Sequence, residues 1–412
     1  RQELLMRYED IVKPSTFANE DYYHELTSGM RQQNHLPCIE AKEYKPFWAI
    51  SKHSDILEIE RQNRIFENTL NSVLETKETE TILEKTGPWL KTLIHMDEPE
   101  HAEFRALTKE WFLPKNLKNS EERVKQLADE IIEEMLEKGD EIDFVKDVAV
   151  WFPLRVIMMI LGIPEKDEGL MLKLTQELLG DSDPEMQRVA SDKNNTSMTI
   201  ADYFSYFSGI TEDRRLNPSN DVASVIANGT VNGRALTELE TVSYYVIIAT
   251  AGHDTTSSAS AGGLLAMLEH PDEMKKALSG EIDLSLTVDE AIRWTSPVKH
   301  FMRYATVDYD IRNTSIKKGD ALMLLYPSGN RDEEVFEKPF DFIADRRPNR
   351  HLAFGYGAHY CLGNILAKLE MKFLYQTLFS KVQKIELNGT PKMMESNFVT
   401  GLKSLPLRIK AK

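Results

Sequence analysis

Apolar and polar positions along this chain repeat mostly at helical spacing, and strand-like runs are short and scattered. Residues 119–138 predict an amphipathic helix, and residues 99–111 predict another, with charged side chains among the apolar ones. The run PFWAISKHSDILEI predicts a strand over 47–50 followed by a helix opening near His53, and a second β-rich zone falls at 301–325. The expected fold class is mainly α with small β-sheets. The longest apolar segment runs from about 237 to 269 and stops before Pro271. As one helix rising ~1.5 Å per residue it would reach roughly 50 Å and cross the whole domain. It is apolar on nearly all sides, which predicts burial, while His253, Asp254 and a Ser/Thr cluster in its middle oppose a lipid-facing span.

No internal repeat, Gly/Ser-rich linker or low-complexity tract divides the 412 residues, so one domain over 1–412 is expected. Hydrophobic residues at 41% and charged residues at 28% suit a buried core rather than a disordered chain. A net charge of -16 opposes non-specific attraction to nucleic acid, which needs clustered Lys and Arg. Only Cys38 and Cys361 carry thiols, which gives little support to a disulfide framework and fits a reducing cytoplasm. The opening RQELLMRYED is charged throughout and lacks the apolar core of a secretory signal or the ~20-residue span of a membrane anchor.

The densest local signal is FGYGAHYCLG at 354–363, where three glycines crowd around one cysteine. Glycine accepts positive φ and lets backbone approach a flat ligand, so the loop can turn sharply against one. Helical sequence resumes with Asn364, which sets Cys361 just before a helix N-terminus. Unpaired N–H groups and the helix dipole there are expected to lower the thiol pKa toward the thiolate that metals bind. Cys38, in LPCIEA, has no such surroundings and reads as structural. The loop resembles the haem-binding signature of the cytochrome P450 superfamily, F-G-x-G-x-H-x-C-x-G, at Phe354, Gly355, Gly357, His359, Cys361 and Gly363. The resemblance implies haem b, cradled by these residues, with Cys361 as the axial ligand of its iron.

Other segments extend the resemblance in the same order. Glu290 and Arg293 lie three residues apart on one helical face, where they can pair. In the family this E-x-x-R joins an arginine ahead of the cysteine loop. Arg346 takes that place, so Glu290, Arg293 and Arg346 are expected to form a structural clamp. His101 and Arg105, four apart on a helix, can face one anionic edge and match the family's H-x-x-x-R. Arg303 and His351 match two further positions, and the four are implied to hold the haem propionates, which need cationic partners when buried. AGHDTT at 251–256 resembles the family's A/G-G-x-D/E-T-T/S. Here Asp254 is implied to relay protons, Thr255 to bond back along the helix or hold a water, and Gly252 to leave room for a diatomic ligand. Similarity continues through 143–164 and the C-terminal SNFVTGLKSLPLRI, with Arg350 a departure from the proline many relatives carry there.

The implied fold is a triangular prism with a long central helix and buried haem, and the implied activity is monooxygenation. R–H, O2, two electrons and two protons give R–OH and water, with electrons from NAD(P)H through a ferredoxin-type partner and its reductase. Lys109, Lys368 and Lys372 are candidates to meet an acidic ferredoxin. Val246, Ile247, Ala251, Val298 and Phe301 are expected to line an apolar pocket for a small terpenoid or sterol-type lipophile, with a fatty acid the main competitor. Two other classes remain. A non-catalytic haem-binding or gas-sensing protein needs no proton relay, and peroxide-dependent haem-thiolate enzymes usually replace the acid-alcohol pair.

Overall fold

The computed structural model describes residues 8–68, 71–188, 192 and 194–412. A five-stranded sheet is assembled from β1 (Cys38–Ile39), β2 (Phe47–Ile50), β3 (Phe66–Glu67), β4 (His300–Ala305) and β5 (Ala321–Leu325), in the spatial order β1-β2-β5-β4-β3. Its pairings are antiparallel except β2 with β5, where Met323 lies opposite Ala49. The strand at 47–50 and the β-rich zone past 300 are thus two parts of one sheet. Period two along β4 puts Phe301 and Arg303 on one face and His300 and Met302 on the other. Both Phe301 and Arg303 turn to a cavity described below.

Eight helices matter most here: α1 (His53–Glu60), α2 (Glu100–Ala106), α3 (Trp151–Leu161), α4 (Glu168–Leu179), α5 (Glu238–Ala251), α6 (Asp254–Glu269), α7 (Leu284–Thr295) and α8 (Asn364–Lys381). The amphipathic stretch expected at 119–138 is the helix Glu121–Glu137, which buries Val124, Leu127, Ile131 and Met135 against the main core. The stretch at 99–111 is helical only as far as Ala106 and then tightens to a 3-10 turn at Lys109–Phe112. Tyr244, reaching across from α5, donates its hydroxyl to the Phe104 carbonyl at 2.7 Å and meets the Thr108 hydroxyl at 2.7 Å. A tertiary contact therefore takes the carbonyl that a continuing helix would use.

The long central element starts where Thr237 and Glu240 close a reciprocal capping box. It is not one helix, as its apolar run suggests, but α5 and α6 joined by Gly252 and His253. Thr255 Oγ1 donates to the Ala251 carbonyl at 2.9 Å, and Thr250 Oγ1 to the Val246 carbonyl at 2.7 Å. Hydroxyls that bond back to the preceding turn compete with the backbone ladder and open it. A Cβ on Gly252 would come within 2.7 Å of Ile157 on α3, so the glycine also lets the two helices approach.

Glu290, Arg293 and Arg346 meet in one hydrogen-bonded network. Glu290 accepts from Arg293 Nε at 2.8 Å and Nη2 at 2.7 Å, and from Arg346 Nε at 3.1 Å on both oxygens. Arg293 spends its remaining donors on the carbonyls of Asn330, Pro339 and Asp341, and Arg346 on those of Glu337, Lys338 and Asp341. All three residues are buried, so the network ties α7 to the segment leading into the cysteine loop. Glu290→Ala leaves two buried guanidiniums without their counter-charge and is expected to cost about 3–5 kcal/mol of unfolding free energy in urea titrations. A loss below about 1 kcal/mol would remove the clamp from its structural role.

Candidate active site

Cys361 lies at the floor of an apolar cavity of about 220 Å³, between the loop ahead of α8 and the break between α5 and α6. The Cys361 N–H donates to the Phe354 carbonyl at 2.9 Å, and the side-chain amide of Asn364 donates to the Cys361 carbonyl at 2.8 Å. Gly355 and Gly357 hold φ of +72° and +73°, and a Cβ on Gly357 would lie 2.5 Å from the Glu60 carbonyl oxygen. A side chain is excluded there by both strain and space. Gly363 lines the cavity, and a Cβ on it would meet no protein atom within 4 Å.

The thiol does not follow the expectation from the helix dipole. Burial pushes the Cys361 pKa up, outweighing the Gly363 N–H and the Arg105 charge, which both lower it. In this apolar setting desolvation is the larger effect, and a thiolate needs a cation directly on its sulfur.

Cationic groups gather at one edge of the cavity. Arg105 Nη2 donates to the Tyr360 carbonyl at 2.7 Å, and the His101 ring packs on His359 with centroids 3.9 Å apart. His359 is pushed down to about 2, first by burial and then by Arg303, His101 and Arg105. Arg105 and Arg303 are thus the charges nearest this imidazole, with the His101 ring packed against it. His101 Nδ1 pairs with Glu98 Oε1 at 3.0 Å, while its Nε2 is buried without a partner. Arg303 Nη2 is 3.1 Å from Glu60 Oε1, which also accepts from the Tyr326 hydroxyl at 2.6 Å.

Of the expected site residues, His101, Arg105, Ile247, Ala251, Thr255, Val298, Phe301, Arg303, Phe354, Gly355, His359, Cys361 and Gly363 all border this cavity. Three do not. His351 is drawn away by Asp289, with Nε2 3.1 Å from Oδ1, and its Nδ1 accepts the Ala353 N–H. Val246 packs in the main core, because Ile247 and Ala251 take the helix face turned to the cavity. Asp254 faces a second cavity, of about 310 Å³, on the far side of the helix break, since adjacent helical residues point about 100° apart.

Two carboxylates on the first cavity were not anticipated. Glu60 closes α1 and carries no motif, so nothing in its local sequence marks it. Glu370 lies on α8 in a stripe with Leu366 and Leu374, where one acid among apolar residues at helical spacing was the available signal. Both Glu370 oxygens are buried without a partner, and burial pushes its pKa well up.

The chain belongs to the cytochrome P450 family, whose profile, described as Cytochrome P450, matches residues 41–287 and 284–411. It is similar to Cytochrome P450-terp of Pseudomonas sp, 40% identical over 97% of this chain and 96% of that protein. A Steroid C26-monooxygenase of Mycobacterium tuberculosis is 30% identical over 87% of this chain and 81% of its own length. Among solved structures, CYP108D1 from Novosphingobium aromaticivorans matches with a TM-score of 0.90 at 38% identity, covering 100% of this chain and 99% of that one. No helix among the described residues is long and apolar enough to cross a membrane.

Gly357→Ala is expected to lower unfolding free energy by about 1–3 kcal/mol, because it combines a forbidden φ with a backbone clash. Denaturant titration checks this, and a cost under about 0.5 kcal/mol would mean that the loop does not need its glycine.

Proposed function

We propose that this enzyme hydroxylates a small terpenoid or sterol-type lipophile at a haem held in the Cys361 cavity. The observation that carries the reading is the cavity itself, with a buried cysteine on one wall, the break between α5 and α6 on the other, and cations converging at one edge. The chain's residues fit haem on two structural grounds: His101 Nε2 is a buried polar atom without a protein partner, and Gly363 leaves space that a Cβ would take from a flat ligand. Cys361 would supply the sulfur that holds the iron, while His101, Arg105 and Arg303 would meet the propionates. Bound haem supplies the redox chemistry that activates O2 and inserts one oxygen atom into a C–H bond.

The protein's own part is positioning, exclusion of water and proton supply. Ile247, Val298 and Phe301 present apolar surface and no charge to the substrate side, which selects for a lipophile and keeps bulk water out. Thr255 puts its hydroxyl at the helix break, held by the Ala251 carbonyl, where it can orient a proton donor toward the cavity. Asp254 stands behind it on the second cavity, the side from which protons can be resupplied. The names of two relatives, P450-terp and a steroid C26-monooxygenase, support a terpenoid or sterol substrate for this chain. Electrons are proposed to come from NAD(P)H through a ferredoxin-type partner. Lys109 and Lys372 are the better candidates to meet it, because Lys368 is engaged by Asp289 at 3.0 Å.

In the reduced protein with carbon monoxide, the Soret band of thiolate-ligated haem is expected, and Cys361→Ala is expected to lose it. Retention of that band in the variant would reject the ligand assignment. Thr255→Ala is expected to keep haem and substrate binding but to yield about tenfold less product per NAD(P)H, the balance appearing as peroxide or water. Unchanged yield would remove Thr255 from proton delivery. Titration with monoterpenols, sterols and fatty acids, read as the low-to-high-spin shift and then by product analysis, tests the substrate class. Productive binding of fatty acids alone would reject the terpenoid or sterol reading.

A further inference from the structure

We propose that His253 is a positioning residue that shares one proton with Asp254, so that the pair, rather than Asp254 alone, stores the acid equivalent beside Thr255. The inference deepens the reading of the site as a proton-consuming monooxygenase centre and rests on it.

The ring of His253 is fully buried at the break between α5 and α6. Its Nε2 lies 2.7 Å from the Val150 carbonyl oxygen. A carbonyl only accepts, so Nε2 carries the proton and the tautomer is fixed. That leaves Nδ1 with a lone pair in the neutral ring. Nδ1 sits 3.4 Å from Asp254 Oδ1 and has no well-aligned hydrogen bond, while Asp254 Oδ2 is buried without any partner. A lone pair facing an ionised carboxylate in a buried setting is repulsive on both sides. One proton between them removes the conflict, whether it sits on the ring or on the carboxyl.

Two lysines, Lys146 and Lys403, share the second cavity with Asp254, and neither lies at ion-pair distance from it. Among the described residues its only ion-pair geometry is with His253. The Lys403 ammonium is held by Asp183 at 3.0 Å and Glu185 at 3.3 Å. Tyr203, packed nearby with Glu177, is pushed up by burial first and in part by the Asp254 charge, so it stays a neutral phenol. Burial raises the Asp254 pKa, and a charge on His253 would oppose this. The cavity of about 310 Å³ beneath Asp254 is bordered by Ser257, Ser258, Gln176 and Lys403 and has room for several waters. Proton balance is simple. The pair releases its proton on the Thr255 side and recovers one from water in the second cavity, with no electron transferred.

A purely structural His253 would only tether the helix break to Val150, which follows the π-turn Val145–Ala149. His253→Gln keeps an N–H donor for that carbonyl but cannot share a proton. The test uses the holoenzyme labelled with nitrogen-15 in histidine, reduced and bound to carbon monoxide. At neutral pH the His253 Nδ1 resonance is expected to be displaced from the free lone-pair position, and Asp254→Asn is expected to return it there. In turnover, His253→Gln is expected to move the alkaline limb of product yield per NAD(P)H down by about one pH unit, a tenfold loss of proton affinity, with the carbon monoxide spectrum unchanged. A wild-type Nδ1 at the lone-pair position, unmoved by Asp254→Asn, overturns the proposal, and so does a His253→Gln profile that overlays wild type. Absence of any product from the wild type would instead count against the monooxygenase reading, and the resonance of Nδ1 would still decide whether the pair shares a proton.

Discussion

An ionisable sulfur buried in an apolar cavity is hard to keep charged, and that constraint organises the rest of this structure. Burial favours the neutral thiol at Cys361, while the Gly363 N–H and Arg105 pull the other way without prevailing. A thiolate there depends on a cation at the sulfur, so the protein has to hold the loop rigidly enough for an iron to be met at one place. Positive-φ glycines give the loop its turns, and the carbonyl of Glu60 packed against Gly357 leaves it little freedom.

Rigidity comes from behind the loop, through the clamp of Glu290, Arg293 and Arg346. The two arginines donate to Glu290 and to backbone carbonyls, and Glu290 also accepts from the Ile343 N–H and the Asn349 amide, so the buried charges are paired and hydrogen-bonded, which offsets their desolvation. The cavity walls follow the opposite logic. His101 Nε2, Glu60 Oε2 and both oxygens of Glu370 are buried there without protein partners, polar groups that packing alone does not account for. The polar atoms of Asp254 and His253 form a second such set, on the other side of the helix break.

Much of this was legible in the sequence where chemistry depends on local order. The strand at 47–50, the helix from His53, the Glu290–Arg293 pair and the glycine-rich cysteine loop each carry a signal in a short run of sequence, and Arg346 was found through its motif position. Side-chain direction was less legible. Val246 was expected on the cavity from its position along the helix, yet the helical turn points it into the core. His351 was read through its motif, but Asp289, distant in sequence, captures its ring. The loosening at Thr255 was expected from its hydroxyl, whereas the continuous apolar run gave no sign that Gly252 and His253 would separate two helices or that Thr250 would bond back as well. Glu60 reaches the site by tertiary packing alone.

The central claim is that Cys361, and not Cys38, ligates the iron of a bound haem. X-ray absorption at the iron edge of the purified holoenzyme tests it most directly. The account predicts one sulfur scatterer at bonding distance, retained in Cys38→Ser and lost in Cys361→Ser. An iron surrounded only by nitrogen and oxygen in the wild type, or a sulfur scatterer that survives Cys361→Ser, would contradict it.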